Sequence, residues 1–172
     1  TIDALYCINL YNDTSQYDYI NGIKLVGEND SIYSFPNSFN PSQPYIDNTP
    51  FYSASLIKGH DYTLYVYNTP DTGHTGSIEA WIDYNSDGDF TDANEKLGSG
   101  HVYLNYGGVG TISFSVPSNL TDLCTGERRL RIRQLAANQE LNSCQPYTNG
   151  ETEDYTVNIV CPSYNIILNA SI

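Results

Sequence analysis

Side chains that carry oxygen are concentrated in one segment of the sequence, Asp83–Glu95. Asp83, Asn85 and Asp87 stand at every second position, and Gly88 follows them. This spacing lets a tightly curled loop direct three side-chain oxygens at one point, and glycine permits the sharp turn. Hard oxygen ligands without His or Cys favour calcium over transition metals. The sequence therefore predicts a calcium site, whose candidate ligands are Asp83, Asn85, Asp87, Asp89, Asp92 and Glu95.

The segment differs from an EF-hand in two respects. Asn94 holds the twelfth position, where an EF-hand carries a bidentate glutamate, and Glu95 follows it. A strand rather than a helix is predicted to lead into the loop. An ordinary acidic turn is the alternative, since Asp, Asn and Gly are common turn residues. Four Asp and one Glu without a basic residue between them repel one another, which favours a bound cation.

A second acidic segment, Gly150–Tyr155, opens another predicted strand. If that strand is regular, Tyr155 and Val157 point inward, and Glu153 shares their parity. A carboxylate in such a position is unusual unless something pairs with it. We therefore add Glu153 to the candidate calcium ligands, with an arginine as its alternative partner.

Three of the seven basic residues alternate along one predicted strand. Arg129, Arg131 and Arg133 share the face opposite the apolar residues between them. Pairing with outward carboxylates on a neighbouring strand, such as Asp154, is one interpretation. The other is a groove for an acidic sugar or a carboxylate-bearing peptide, because arginine binds carboxylates bidentately.

Aromatic residues beside polar ones suggest a second kind of site. Trp81, Tyr65 and Tyr67 are out of phase with the apolar residues of their strands. Rings in such positions stack on sugars in carbohydrate-binding sandwiches. The alternative is that a loop covers these rings, because Trp is usually highly buried. The candidate ligand-binding residues are Tyr45, Tyr52, Trp81, Tyr103, Tyr106 and Arg131.

No catalytic constellation is apparent. His60, His74 and His101 are scattered among predicted turns, without an HExxH motif. Glu151 and Glu153 could imitate a glycosidase pair, which requires two carboxyl groups about 5–10 Å apart across a substrate cleft. We therefore expect no enzymatic activity, and a hydrolase is the least favoured alternative.

Short alternating segments recur along the chain, with Gly, Pro and Asn between them. Strands are predicted at Leu5–Leu10, Tyr19–Val26, Tyr62–Tyr67, Ser77–Tyr84, Thr111–Val116, Arg129–Gln134, Tyr155–Val160 and Tyr164–Leu168. Only Leu135–Leu141 could form a short turn of helix, and Phe35–Tyr52 is expected to be a long ordered loop. This pattern predicts an all-β fold, an antiparallel, jelly-roll-like β-sandwich with a calcium-binding loop.

Length and charge limit the possible functions. One domain is expected over residues 1–162, with 163–172 forming a final edge strand or the start of a following domain. The net charge of −13 argues against nucleic acid and anionic membranes as partners, whereas it suits divalent cations. No apolar run is long enough to span a bilayer.

The four cysteines, Cys7, Cys124, Cys144 and Cys161, form no CxxC pair, which disfavours zinc. An even count suggests two disulfides in an extracellular chain, although the sequence allows three pairings. Free buried thiols in a cytosolic protein are the alternative.

The ordered motifs together resemble one known family. The run from Trp81 to Glu95, the alternating strand Arg129–Arg133 and the segment Gly150–Val157 follow one another as in the GEVED domain. Tyr6-Cys7 and Cys144 match its usual plan, so that the likeness extends from Tyr6 to Val160. Thr152 is a mild departure, because the family's name motif carries Val there.

The resemblance implies a β-sandwich accessory module that is stabilised by calcium and belongs to a secreted or cell-surface multidomain bacterial protein. It favours a Cys7–Cys144 disulfide, after which Cys124 and Cys161 would pair as an additional bridge. We expect a role in adhesion or substrate targeting, with calcium, neighbouring domains and a glycan or host surface protein as partners. A calcium-dependent carbohydrate-binding module is the alternative.

Overall fold

The computed structural model describes residues 6–7, 19–35, 45–68, 76–98, 102–104, 107–120, 125–136, 142–147 and 150–162. Its strands are β1 (Ile20–Val26), β2 (Ser31–Ser34), β3 (Tyr45–Asp47), β4 (Ser53–Ile57), β5 (Asp61–Asn68), β6 (Gly76–Ile82), β7 (Val102–Leu104), β8 (Val109–Ser115), β9 (Thr125–Ala136) and β10 (Gly150–Val160). The described residues contain no helix, and hence none that could cross a membrane.

The strands form two sheets that face each other. The smaller sheet has the order β2-β1-β5-β8, and the larger has the order β3-β10-β9-β6-β7, with β4 also paired to β10. One core lies between them, to which Ile23 and Leu64 contribute from the smaller sheet and Ile132 and Val157 from the larger. The all-β prediction is therefore confirmed.

The larger sheet is mixed rather than purely antiparallel. β3 and β4 both run parallel to β10, whereas β9 runs antiparallel along its other edge. Only a tight hairpin forces neighbouring strands to be antiparallel, and β3 and β4 are far from β10 in the chain. The purely antiparallel prediction was wrong for this reason.

Alternation of side chains correctly identified the long strands. In β8 every second residue is buried, including Ile112 and Phe114, as the sequence pattern predicted. In β10, Tyr155, Val157 and Ile159 point into the core. These strands bury one face against the opposite sheet, so their period of two follows from the pleat.

Short strands were missed. β2, β3, β4 and β7 have three to five residues each, too few for alternation to be recognised. β3 lies within Phe35–Tyr52, which was therefore wrongly predicted to be loop throughout. Leu135 and Ala136 belong to β9 rather than to the possible helical turn Leu135–Leu141, and residues 137–141 lie outside the described residues. The predicted strand Tyr164–Leu168 and residues 163–172 lie outside the described residues, as does most of Leu5–Leu10.

We expect Ile132→Ala to lower the free energy of unfolding by about 2–5 kcal/mol, because the side chain is completely buried and its loss leaves a cavity. Val109→Ala is the control, since Val109 is 49% exposed, and should change stability by only about 0.5 kcal/mol. Urea denaturation measures both. Equal effects of the two changes would contradict the two-sheet core.

Candidate functional site

The acidic loop, Asp83–Glu95, is fixed at both ends to the larger sheet. It begins directly after β6, and its last residue returns to that strand. Ile82 N donates to Glu95 O at 2.9 Å, and Leu97 N donates to Ala80 O at 2.8 Å. The loop is therefore closed at its base by backbone hydrogen bonds.

Asp83 is completely buried at this base. Its Oδ1 accepts from Ser86 N at 2.6 Å, and its Oδ2 accepts from Gly88 N at 3.1 Å. The Tyr6 hydroxyl donates to Oδ2 as well. Gly88 has a φ of 94°, a left-handed conformation that glycine adopts without strain. The predicted role of Gly88 in the turn is thus confirmed.

The exposed side chains of the loop lie close to one another. Asn85 Nδ2 donates to Asp87 Oδ2 at 2.8 Å and to Asp92 Oδ2 at 2.5 Å. Asp89 Oδ1 instead accepts from the backbone and the hydroxyl of Thr91. The loop therefore gathers Asn85, Asp87 and Asp92 on one side and turns Asp89 toward its own backbone.

Glu95 closes the loop from the interior. Its side chain is almost fully buried and accepts from Tyr84 N at 3.0 Å and from Asp92 N at 3.2 Å. Burial, followed by the charges of Asp83 and Asp92, raises the pKa of Glu95 to about 7. The loop thus brings carboxylates together at an energetic cost.

These donors fit calcium in their chemistry but do not form a coordination shell. All are oxygen ligands, as hard cations require. Among the described residues, however, no group of three or more His, Cys, Asp or Glu side chains is arranged to hold a metal ion. The carboxylate of Asp83 and that of Glu95 are both engaged with backbone amides. Calcium binding therefore stays a prediction.

The glutamates of the second acidic segment lie inside the sandwich. Glu151 Oε2 accepts from Ile20 N of the opposite sheet at 2.8 Å, and Glu153 Oε2 accepts from the Tyr155 hydroxyl at 2.7 Å. Burial and the charge of Glu153 raise the pKa of Glu151 well above its ordinary value. Glu153 thus has the predicted inward parity, and it lies on the other side of the sheet from Asp83.

The outer face of the larger sheet carries the arginines, as the sequence predicted. Arg131 and Asp154 are directly paired in register between β9 and β10. Arg131 Nε donates to Asp154 Oδ1, and Nη2 donates to Oδ2, each at 2.8 Å. Arg129 Nη1 donates to the same Oδ2 at 2.9 Å. The cross-strand pairing with Asp154 is therefore confirmed.

This pairing is buried. Arg131, Arg133 and Asp154 are each 0% exposed. Arg131 Nη1 donates to Cys7 O at 3.0 Å and to Ser143 O at 3.1 Å, and Arg133 Nη2 donates to Gln145 O at 2.6 Å. The segments before β1 and before β10 thus supply carbonyl oxygens to guanidinium groups. We call Arg129, Arg131, Arg133 and Asp154 the arginine layer.

Aromatic rings complete the cover of the arginine layer. Arg129 lies over the Tyr6 ring at 4.2 Å, Arg131 over the Phe90 ring at 4.9 Å and Arg133 over the Tyr147 ring at 4.8 Å. Sequence reasoning did not identify Tyr6 and Phe90 as members of this site. Nothing in their spacing connects them, although Phe90 lies within the acidic loop.

A disulfide joins Cys7 to Cys144 directly above Arg131, with a Cα–Cα distance of 5.6 Å. This pairing, which the family resemblance implied, is confirmed. Cys161 is also disulfide-bonded. Its expected partner, Cys124, lies outside the described residues.

The candidate ligand-binding residues do not form one exposed surface. Trp81 is only 3% exposed, and Arg131, its partner in register on β9, is fully buried. The Tyr45 hydroxyl donates to Asp154 at 2.8 Å, and the Tyr52 ring packs 6.1 Å from that of Tyr155. The placement of Trp81 agrees with the alternative of burial under a cover. Tyr106 and the side chain of Tyr103 lie outside the described residues.

We expect Asp154→Asn to lower the free energy of unfolding by about 3–5 kcal/mol, because it leaves the buried Arg131 cation without its counter-charge. Asp47→Asn is the matched control at an exposed position of the neighbouring β3 and should cost about 1 kcal/mol or less. Urea denaturation at neutral pH distinguishes them. A loss below 1 kcal/mol at Asp154 would show that the pair is dispensable.

Glu151 should make stability depend on pH with a definite sign. Because its folded-state pKa is raised, the native state keeps a proton that the unfolded chain releases near pH 4.5. The contribution of Glu151 to stability is therefore complete below that pH and is lost as pH rises toward the folded-state pKa. We expect Glu151→Gln to flatten this decline, measured as unfolding free energy against pH, whereas exposed Glu127→Gln should leave the slope unchanged.

Comparisons with known proteins support one family. The search of curated proteins found no match. Among solved structures, the crystal structure of the periplasmic chaperone SfaE aligns with a TM-score of 0.49 and 14% identity, over 66% of this chain and 56% of that one. Residues 77–158 match the family model of the GEVED domain. This match spans the acidic loop, the arginine strand and the Gly150–Val157 motif, and it confirms the resemblance to the GEVED domain for residues 77–158.

Proposed function

We propose that this chain is a non-catalytic, calcium-binding accessory module of a secreted or cell-surface multidomain protein, where it serves adhesion or substrate targeting. The observation that carries the proposal is the acidic loop within a GEVED domain. A closed base holds two buried carboxylates, Asp83 and Glu95, near three exposed oxygen donors. A cation would relieve their repulsion.

Calcium would be held by Asp83, Asn85, Asp87, Asp92 and Glu95, which the loop already brings near one another. The hydrogen bonds that these side chains now make to backbone amides and to Asn85 would be replaced in part by bonds to the ion. Glu153 is a less suitable ligand, because it points into the core. Calcium would supply folding free energy by binding only the native loop.

A non-catalytic role is supported by where the reactive groups lie. Glu151 and Glu153, the only pair that resembled a glycosidase site in the sequence, are inside the sandwich, where no polysaccharide chain reaches. The arginines are engaged with Asp154 and with backbone carbonyls. These groups stabilise the fold and are not free to act on a substrate.

An extracellular location is supported by the Cys7–Cys144 disulfide, because such bonds persist in oxidising compartments. Stabilisation by calcium suits the same surroundings. The parent protein would therefore expose this module outside the cytosol, next to domains that carry its main activity.

Calcium should raise the melting temperature of the chain, and EDTA should lower it. At a calcium concentration of about one hundred times Kd, the gain in unfolding free energy is about 2.7 kcal/mol, or roughly 5–10 °C for a domain of this size. Differential scanning calorimetry measures the shift. An unchanged melting temperature over millimolar calcium would refute the metal part of the proposal.

Asp87→Ala should reduce this calcium-induced rise more than any other single change in the loop, because Asp87 lies at its centre. Asp47→Ala is the control, since it removes an exposed aspartate outside the loop, at the end of β3. The shift between EDTA and calcium is compared within each variant, so that any loss of basal stability cancels. A full calcium response in Asp87→Ala would exclude the loop as the site.

A further inference from the structure

The smaller sheet turns one face toward solvent, and that face carries aromatic and hydroxyl side chains in rows. Tyr33, Lys24, Tyr65 and Thr111 are paired in register across all four strands. The intervening residues of these strands, such as Leu64, point into the core. The row therefore belongs to the outer face of the sheet, which we call the tyrosine face.

Rings are held in position on this face. Lys24 Nζ lies 5.8 Å from the centroid of the Tyr65 ring. At one end, the Phe35 ring packs against Tyr67 at 4.5 Å and against Tyr33 at 5.1 Å. Phe35 also lies where a side chain on Gly22 would be, since a Cβ there would come within 2.7 Å of its ring. The absence of a side chain on Gly22 thus lets the Phe35 ring approach the backbone of β1 closely.

A groove of about 530 Å³ crosses the face beside Tyr65, which is within the range of small-ligand sites. Hydroxyl and charged groups line it next to the ring. Thr63 Oγ1 lies 3.4 Å from Ser113 Oγ, and the Ser115 hydroxyl donates to Asp61. Ser113, Ser115 and Asp61 are exposed. A bound ligand can therefore replace the hydrogen bonds between these side chains with its own.

The charge of the groove differs from that of the whole chain. Among the described residues, Lys24 and Asp61 are the charged groups that line the groove, and their formal charges cancel, although the chain carries a net charge of −13. An anionic polymer would be repelled by the chain as a whole. A neutral ligand avoids this repulsion and finds both donors and acceptors in the groove.

The geometry points to the tyrosine face as a binding site for a neutral oligosaccharide. The C–H face of a pyranose packs on the negative face of an aromatic ring such as Tyr65, while its hydroxyls bond to Thr63, Ser113 and Asp61. None of these residues belongs to the acidic loop. The inference rests on the proposed role as a binding module but does not depend on calcium.

A protein partner or a second copy of the chain fits this face less well. Interface cores are enriched in contiguous apolar and aromatic groups. Here the exposed hydrophobic residues of the face, Tyr33, Val26 and Val109, lie on three different strands, and hydroxyl and charged groups alternate with apolar ones in the groove. The mixture of the Tyr65 ring with hydroxyls and with one positive and one negative side chain matches a sugar.

The test is binding of the whole chain to a broad glycan array, followed by titration calorimetry with the neutral oligosaccharide that binds best. We expect Tyr65→Ala to weaken binding about tenfold or more through loss of the stacking ring. The double variant Thr63→Val with Ser113→Ala, which keeps side-chain volume, should weaken it about fivefold. Phe51→Ala is the matched control, because this ring is 76% exposed on another part of the surface, and should bind as the parent chain does.

Thermal melts of each variant show whether it is folded, and the calcium response is measured on the same samples. No glycan bound at millimolar chain concentration would overturn the inference, as would unchanged affinity in both groove variants. Self-association that Tyr33→Ala abolishes would overturn it too, by identifying a dimer surface. Glycan binding that persists in EDTA while calcium has no effect on melting would support this inference and refute the calcium proposal alone.

Discussion

The buried pair of Arg131 and Asp154 is the interaction on which the larger sheet depends. Both side chains are fully excluded from solvent, and removing two charges from water costs several kcal/mol per ion. Two parallel hydrogen bonds between them offset part of that cost. The third nitrogen of Arg131, Nη1, donates to the carbonyl oxygens of Cys7 and Ser143. Each segment that covers this face must therefore be in place for the pair to be satisfied, which couples distant parts of the chain.

The acidic loop is attached to the same arrangement. Tyr6, which lies over Arg129, donates its hydroxyl to Asp83, and Asp83 N donates to Arg129 O at 3.0 Å. Phe90 extends from the loop to cover Arg131. Order in the loop and order in the arginine layer thus support each other, and a cation bound in the loop would stabilise both. The Cys7–Cys144 bridge adds a covalent constraint at the same point.

The acidic motif of β10 serves both sides of the sheet, because successive residues of a strand point to opposite faces. Glu151 and Glu153 face the core, whereas Thr152 and Asp154 face the arginine layer. Asp154 finds two guanidinium groups there. Glu151 meets a backbone amide and a second carboxyl group, so the pKa of Glu151 is raised. Four consecutive polar residues near the start of a buried strand are tolerated only because each side of the sheet offers them partners.

The sequence alone determined the period of each long strand, and therefore the all-β class and the sheet faces on which Arg131, Asp154 and Glu153 lie. The spacing of the acidic loop also identified the glycine at its turn. The sequence also carried the ordered motifs of the family. Only the tertiary structure decided that the arginines are interior rather than a groove, because the cover comes from Tyr6, Cys7 and Ser143, which local periodicity does not connect with β9. The parallel position of β3, the burial of Trp81 and the exposed rows of the tyrosine face depend likewise on which strands become neighbours. Alternation assigns each side chain to a face, but packing between distant segments decides whether that face meets water.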